Sequence, residues 1–124
     1  PSFLVHRRKN AQCFMELFGE DKRFSIQRET GSSSWFGFAL VARKDSDVDR
    51  MKLAQYLMKN GVECRPIVAG NFAKNRVIEY MPHIIHGKLT NAEWVDRNGL
   101  FVGNHQYDIT ANLFELRDLL KAFR

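Results

Sequence analysis

The sequence predicts a two-layer α/β sandwich: helices packed against one small sheet, in one domain spanning residues 1–124. Three observations lead there. Helix-like and strand-like segments alternate along the chain, which is the pattern of an α/β layer structure. A hydrophobic content of 44%, with ten Phe among 124 residues, is enough to fill one core. A charged fraction of 27% keeps the outer surface solvated. The same balance excludes a disordered chain, a collagen-like repeat and a disulfide scaffold.

The elements follow in order. Leu4, Ala11, Phe14 and Phe18 fall on one stripe, so residues 3–18 read as a helix with one buried face, ended by Gly19 and the charged run 20–23. Residues 24–33, with Gly31 and three serines, read as an extended, mobile connection, so the first helix and this link (1–33) precede an α/β core (34–124). Ser34 to Ala42 is apolar on both alternating sets, as in a strand covered on both faces. Ser46 and Asp49 stand at capping-box spacing before a helix striped by Val48, Met51, Ala54, Leu57 and Met58, and Asn60-Gly61 supplies its left-handed stop. Val62 to Ile67 is a short strand that Pro66 assigns to an edge or a turn.

Residues 68–87 are irregular, with a turn at Gly70-Asn71 and a short helix over 75–80 stopped by Pro82. Thr90 and Glu93 have capping-box spacing for a helix that Asn98-Gly99 closes. Leu100 to Val102 is a strand. The last helix carries Ile109, Leu113, Leu116, Leu120 and Phe123 at helical spacing, with Asp108 or Thr110 as its cap.

Net charge is +5, which favours anionic partners without naming one. The only tight basic cluster, Arg7-Arg8-Lys9, reads as a solvated helix face, and no nucleic-acid-binding motif accompanies it. Nor does any apolar run approach the ~20 residues that cross a bilayer, and no charged start followed by an apolar stretch reads as a signal peptide. Cys13 and Cys64 lie far apart and read as reduced thiols of a cytoplasmic protein. The chain opens on Pro1 rather than methionine, as a processed product or a piece of something longer would.

Candidate chemistry is sparse. His83 and His86, three apart, could share a helical face with His105 nearby, but no carboxylate stands at ligand spacing, and no metal site is predicted. Cys64 next to Arg65 has no identifiable base, so it reads as strand packing. There is no nucleophile elbow, dinucleotide fingerprint or Walker loop. Two strand ends carry polar groups where α/β proteins gather ligands: Arg65 followed by Gly70 and Asn71, and Gly103 followed by Asn104 and His105. Each can equally be a turn with a capping role.

Taken together, the runs Ser34-Trp35-Phe36-Gly37-Phe38, Gly61 through Phe72 (GVECRPIVAGNF), Ile84 through Ala92, and Phe101 through His105 (FVGNH) resemble the C-terminal part of the PLP-dependent sugar-nucleotide aminotransferase family. Within that family they resemble the nucleotide-linked 4-keto-6-deoxyhexose 3-dehydratases of lipopolysaccharide dideoxysugar synthesis. The resemblance covers residues 34 to the end well and the first helix more loosely.

It implies the small C-terminal domain of a fold-type-I PLP-dependent transferase, whose large cofactor-holding domain is absent from this chain. Pyridoxal or pyridoxamine phosphate would belong to the full-length enzyme and not to this piece, which is expected to be inactive alone and to contribute no catalytic residue. Arg65, Asn71 and His105 would face the cleft and hold the nucleotide-sugar substrate, with Trp35 and Phe36 lining its mouth. The intact enzyme would be a homodimer. A plain aminotransferase small domain is the alternative, decided by a lysine or histidine base in the large domain. A stand-alone basic module binding anions or nucleic acid is a further one.

Overall fold

The structure is a computed structural model, and it describes residues 2–124. Helix α1 (Ser2–Phe18) is followed by strands β1 (Phe24–Ile26) and β2 (Gly37–Ala42). Helix α2 (Arg50–Lys59) then leads to β3 (Cys64–Pro66). Two 3-10 turns (Phe72–Lys74 and Arg76–Tyr80) precede α3 (Thr90–Asn98), β4 (Gly99–Gly103) and α4 (Thr110–Ala122).

The four strands form one antiparallel sheet in the order β1-β2-β4-β3. β4 is inserted between β2 and β3, so the strand–helix–strand unit read from the sequence is split, with β3 at an edge as Pro66 requires. Register aligns Phe38, Val102 and Cys64 in one row across the sheet, and Ile26, Leu40, Leu100 and Pro66 in the row two residues on. Because strand side chains alternate, these rows place Phe38, Leu40, Cys64, Leu100 and Val102 on one face, where α1, α2 and α4 bury them. Ala39, Phe101 and Arg65 share a row on the opposite face. That is the two-layer sandwich.

Several local expectations change. The 24–33 segment is not all connection, because Phe24–Ile26 pairs with Leu40–Ala42 as an edge strand. The Gln27 side chain prolongs that ladder, donating to the Gly37 carbonyl and accepting from the Ala39 N–H. β2 begins at Gly37 and not at Ser34, since Trp35 adopts a left-handed φ of 52° that no strand residue can have. In α2 the buried side chains are Leu53 and Leu57, while Met51 and Met58 are exposed. Neither Thr90 nor Ser46 caps a helix: α3 starts after Leu89 without a side-chain cap, and Ser46 bonds back to the Arg43 carbonyl.

Asp49 does the capping at α2. Its carboxylate accepts from the Met51 and Lys52 N–H groups at 2.8 and 3.0 Å. Those bonds, led by the one from Lys52 and aided by the charges of Lys52 and Arg50, hold the Asp49 carboxyl below its usual range. A depressed carboxyl pKa stabilises the fold above the unfolded-state value, and the contribution fades as pH falls through the folded-state value. Asp49→Ala is therefore expected to lower the urea midpoint at pH 7 and to lower it by less in acid, as pH falls through the folded-state value. Ser46→Ala should leave the midpoint unchanged at both; an equal loss from the two variants would contradict the assignment.

Candidate functional site

An open groove of about 490 Å³ lies beside the end of β4, bounded by the 60–63 link and by α4. Phe36, Arg65 and His105 all line it, so three of the five residues singled out in the sequence come together. Phe36 is 70% exposed and stacks on Phe101 at 5.8 Å, leaving its other surface open. His105 stacks on Tyr107 at 4.9 Å. Arg65 pairs with Glu63 at 2.5 Å, and its hydrogen bond and charge keep the Glu63 carboxyl below the usual range. Both partners are exposed, and such pairs add little net stability, so the guanidinium is available to a stronger anion.

The other two residues sit elsewhere. Trp35 is 3% exposed, and its ring joins the core beside Phe38 rather than lining the groove mouth. Asn71 is buried, where its side chain caps the Phe72–Lys74 turn by accepting from the Ala73 N–H. Gly70 has φ 54°, and a β-carbon there would lie 1.9 Å from the Asp96 carboxylate of α3, so its lack of a side chain serves the close approach of α3. Of the Arg65-to-Phe72 string, Arg65 alone lines the groove.

Sequence reasoning picked out Asn104 at a strand end but missed Asn10 and the polar centre the two form at the base of the groove. Asn104 is buried and makes four hydrogen bonds. It donates to the carbonyls of Arg7 (3.0 Å) and Trp35 (2.9 Å), and its oxygen accepts from Asn10 Nδ2 (3.0 Å) and the His105 N–H (2.8 Å). Asn10, fully buried, also donates to the carbonyls of His105 and Tyr107 and accepts from the Ile109 N–H. One signal was present in the sequence: Asn10, Phe14 and Phe18 recur every four residues, so a polar residue stands on an apolar stripe.

In the basic cluster beside it Arg8 and Lys9 are exposed, as a solvated face requires, with Arg8 bonding Ser32 Oγ and the Ser33 carbonyl and Lys9 pairing with Asp108, whereas Arg7 Nε is buried without a partner among the described residues.

Neither thiol is activated. Burial pushes the Cys64 thiol up, against a smaller opposing effect of Arg50, and burial with Glu16 and Asp108 does the same to Cys13. His83 and His86 are exposed, and among the described residues no three His, Cys, Asp or Glu side chains converge as metal ligands. No described helix is long and apolar enough to cross a membrane.

The fold defines a class. Over 97% of the chain it superposes with a TM-score of 0.75 on 33% of PseC, an aminotransferase from Helicobacter pylori, at 12% identity, so the two share a fold. Sequence narrows this further: the chain is a homologue of GDP-sugar 3-dehydratases. It is 49% identical, over 98% of its length, to 31% of the GDP-4-keto-6-deoxy-D-mannose 3-dehydratase of Yersinia pseudotuberculosis. The E. coli enzyme of that name, solved with bound hydrated PLP, superposes with a TM-score of 0.93 at 47% identity, covering 97% of this chain and 31% of that one. No protein-family model matches. The chain thus spans about a third of these PLP-dependent relatives and matches their C-terminal part.

The residues present do not make a PLP site by themselves. Every lysine of the chain is exposed and none lines the groove, so no side chain here is placed to hold the cofactor aldehyde in a sheltered cleft. PLP belongs to the relatives as whole enzymes.

Proposed function

We propose that this chain acts as the small C-terminal domain of a PLP-dependent nucleotide-sugar 3-dehydratase of lipopolysaccharide dideoxysugar synthesis, forming one wall of the substrate cleft. The observation that carries it is the 49% identity maintained over 98% of the chain, far above the 12% found with an aminotransferase of like fold. This favours dehydration over transamination. In this reading Arg65 meets the diphosphate, Phe36 offers its open surface to a ring of the substrate, and His105 supplies a polar contact at the rim. Trp35 and Asn71 act from behind, by fixing the segments that carry those residues. The cofactor and its base reside in a partner domain that closes over the groove, and the chain alone has no dehydratase activity. A homodimeric, cytoplasmic enzyme is part of the same proposal.

The groove supports the anion part of the reading through the exposed guanidinium and the unblocked aromatic surface. Titrating the chain with GDP should shift backbone resonances of Phe36, Arg65 and His105, and Arg65→Ala should weaken binding roughly tenfold, the range for a lost charge-assisted hydrogen bond. Mixing with pyridoxal phosphate and borohydride should leave no stoichiometric adduct at one lysine. Such an adduct would place the cofactor in this chain and overturn the assignment; GDP shifts confined to other surfaces would remove the groove from it.

A further inference from the structure

Two rim residues of the groove hang from one buried polar centre. Phe36 directly follows Trp35, the one non-glycine residue with positive φ among the described residues, and the Trp35 carbonyl is held by Asn104 Nδ2 at 2.9 Å. A left-handed tryptophan is unfavourable by itself and persists only where its surroundings fix it. On the other side, the His105 N–H reaches Asn104 Oδ1 at 2.8 Å, and the His105 and Tyr107 carbonyls receive Asn10 Nδ2 at 3.2 and 2.8 Å. Asn10 lies on α1 and does not line the groove, while its oxygen takes the Ile109 N–H at 3.2 Å, at the entry to α4.

Buried amides are costly unless satisfied, and a fully satisfied pair fixes one arrangement of every segment it touches. We propose that the Asn10–Asn104 pair is the positioning device of the groove: it sets Phe36 through the Trp35 carbonyl and His105 through the main chain on both sides of its ring. Neither residue need touch a substrate to do this. The inference rests on the groove being the functional site.

The two amides divide the work, and isosteric variants separate it. Asn104→Asp keeps the oxygen that serves Asn10 and His105 but removes the donor to Trp35 and Arg7. The expected result is loss of the Phe36–Phe101 ring contact in nuclear Overhauser spectra with the His105–Tyr107 contact retained. Asn10→Asp keeps the acceptor for Ile109 and sets an oxygen against the His105 and Tyr107 carbonyls, so the His105–Tyr107 contact should be lost first. Equal effects on both ring pairs in both variants would indicate general loosening and overturn the proposal, as would no effect on either.

Should a variant fail to fold, the unaltered chain still decides. The side-chain amide protons of Asn10 and Asn104 are expected to exchange with solvent on the order of 100-fold or more slowly than those of exposed Asn91. Equal rates would show that the pair is not a fixed centre. None of these readouts uses a nucleotide. Failure of GDP to bind would therefore remove the functional reading while leaving the positional result standing.

Discussion

Phe38→Ala is expected to cost about 3–5 kcal/mol of unfolding free energy, the range for emptying a large buried aromatic site. Phe38 is fully buried at the centre of the sheet and stacks on Phe14 of α1 at 4.3 Å with the rings 8° from parallel. Trp35 flanks it at 6.2 Å, and Phe18 continues the array from Phe14 at 4.8 Å. Removing the ring therefore uncouples the first helix from the sheet as well as opening a cavity. For a chain of this size the melting temperature should fall by roughly 10–20 °C. Phe36, two positions earlier and largely exposed, is the contrast: Phe36→Ala should change stability by no more than about 0.5 kcal/mol. Urea unfolding of the two variants checks both figures. A loss below about 2 kcal/mol for Phe38→Ala, the lower end for large core truncations, would mean that the cluster repacks.

That contrast shows what could be read in advance and what could not. Phe14, Phe18, Leu113, Leu116 and Leu120 announce their burial through a helical period, which needs only neighbours in sequence. Asn60-Gly61 announces its stop in the same way, and Gly61 does adopt φ 81°. β1 is three residues long, too short for any period, and it exists because Leu40–Ala42 lies alongside it. In α2 two apolar stripes compete, and only the position of the sheet selects Leu53 and Leu57 over Met51 and Met58. The groove was half legible. Arg65 and His105 stood at strand ends, where polar groups meet solvent, while Phe36, read inside a strand, came to the groove only through the family resemblance. Trp35 was misplaced because its ring is buried against Phe38 and its carbonyl is bonded by Asn104, 69 residues away, neither of which a local pattern shows. The Asn10–Asn104 contact spans 94 residues, beyond any local pattern.

Gly37→Ala is expected to lower stability by about 1–3 kcal/mol, the usual cost of overfilling a packed site, and to disturb the groove as well. A β-carbon at position 37 would lie 2.2 Å from the far tip of the Phe101 ring and 2.7 Å from the Val102 carbonyl oxygen. The ring can swing away, but the oxygen belongs to the backbone of β4, which pairs with β2 through this same register. Relief therefore requires either opening the central strand pair or moving Phe101, whose ring supports Phe36 at the groove rim. Gly103, directly across from Gly37 in the ladder, has nothing within 4 Å of the corresponding position. Gly103→Ala should consequently be neutral or stabilising by up to about 1 kcal/mol, through the reduced freedom of the unfolded chain. Opposite signs at two glycines that face one another would show that Gly37 is there for the passage of Phe101 and not for flexibility of the strand end. If Gly37→Ala matches the parent in stability and retains the Phe36–Phe101 contact, the ring does not depend on that gap, and Phe36 owes its position to the Trp35 carbonyl alone.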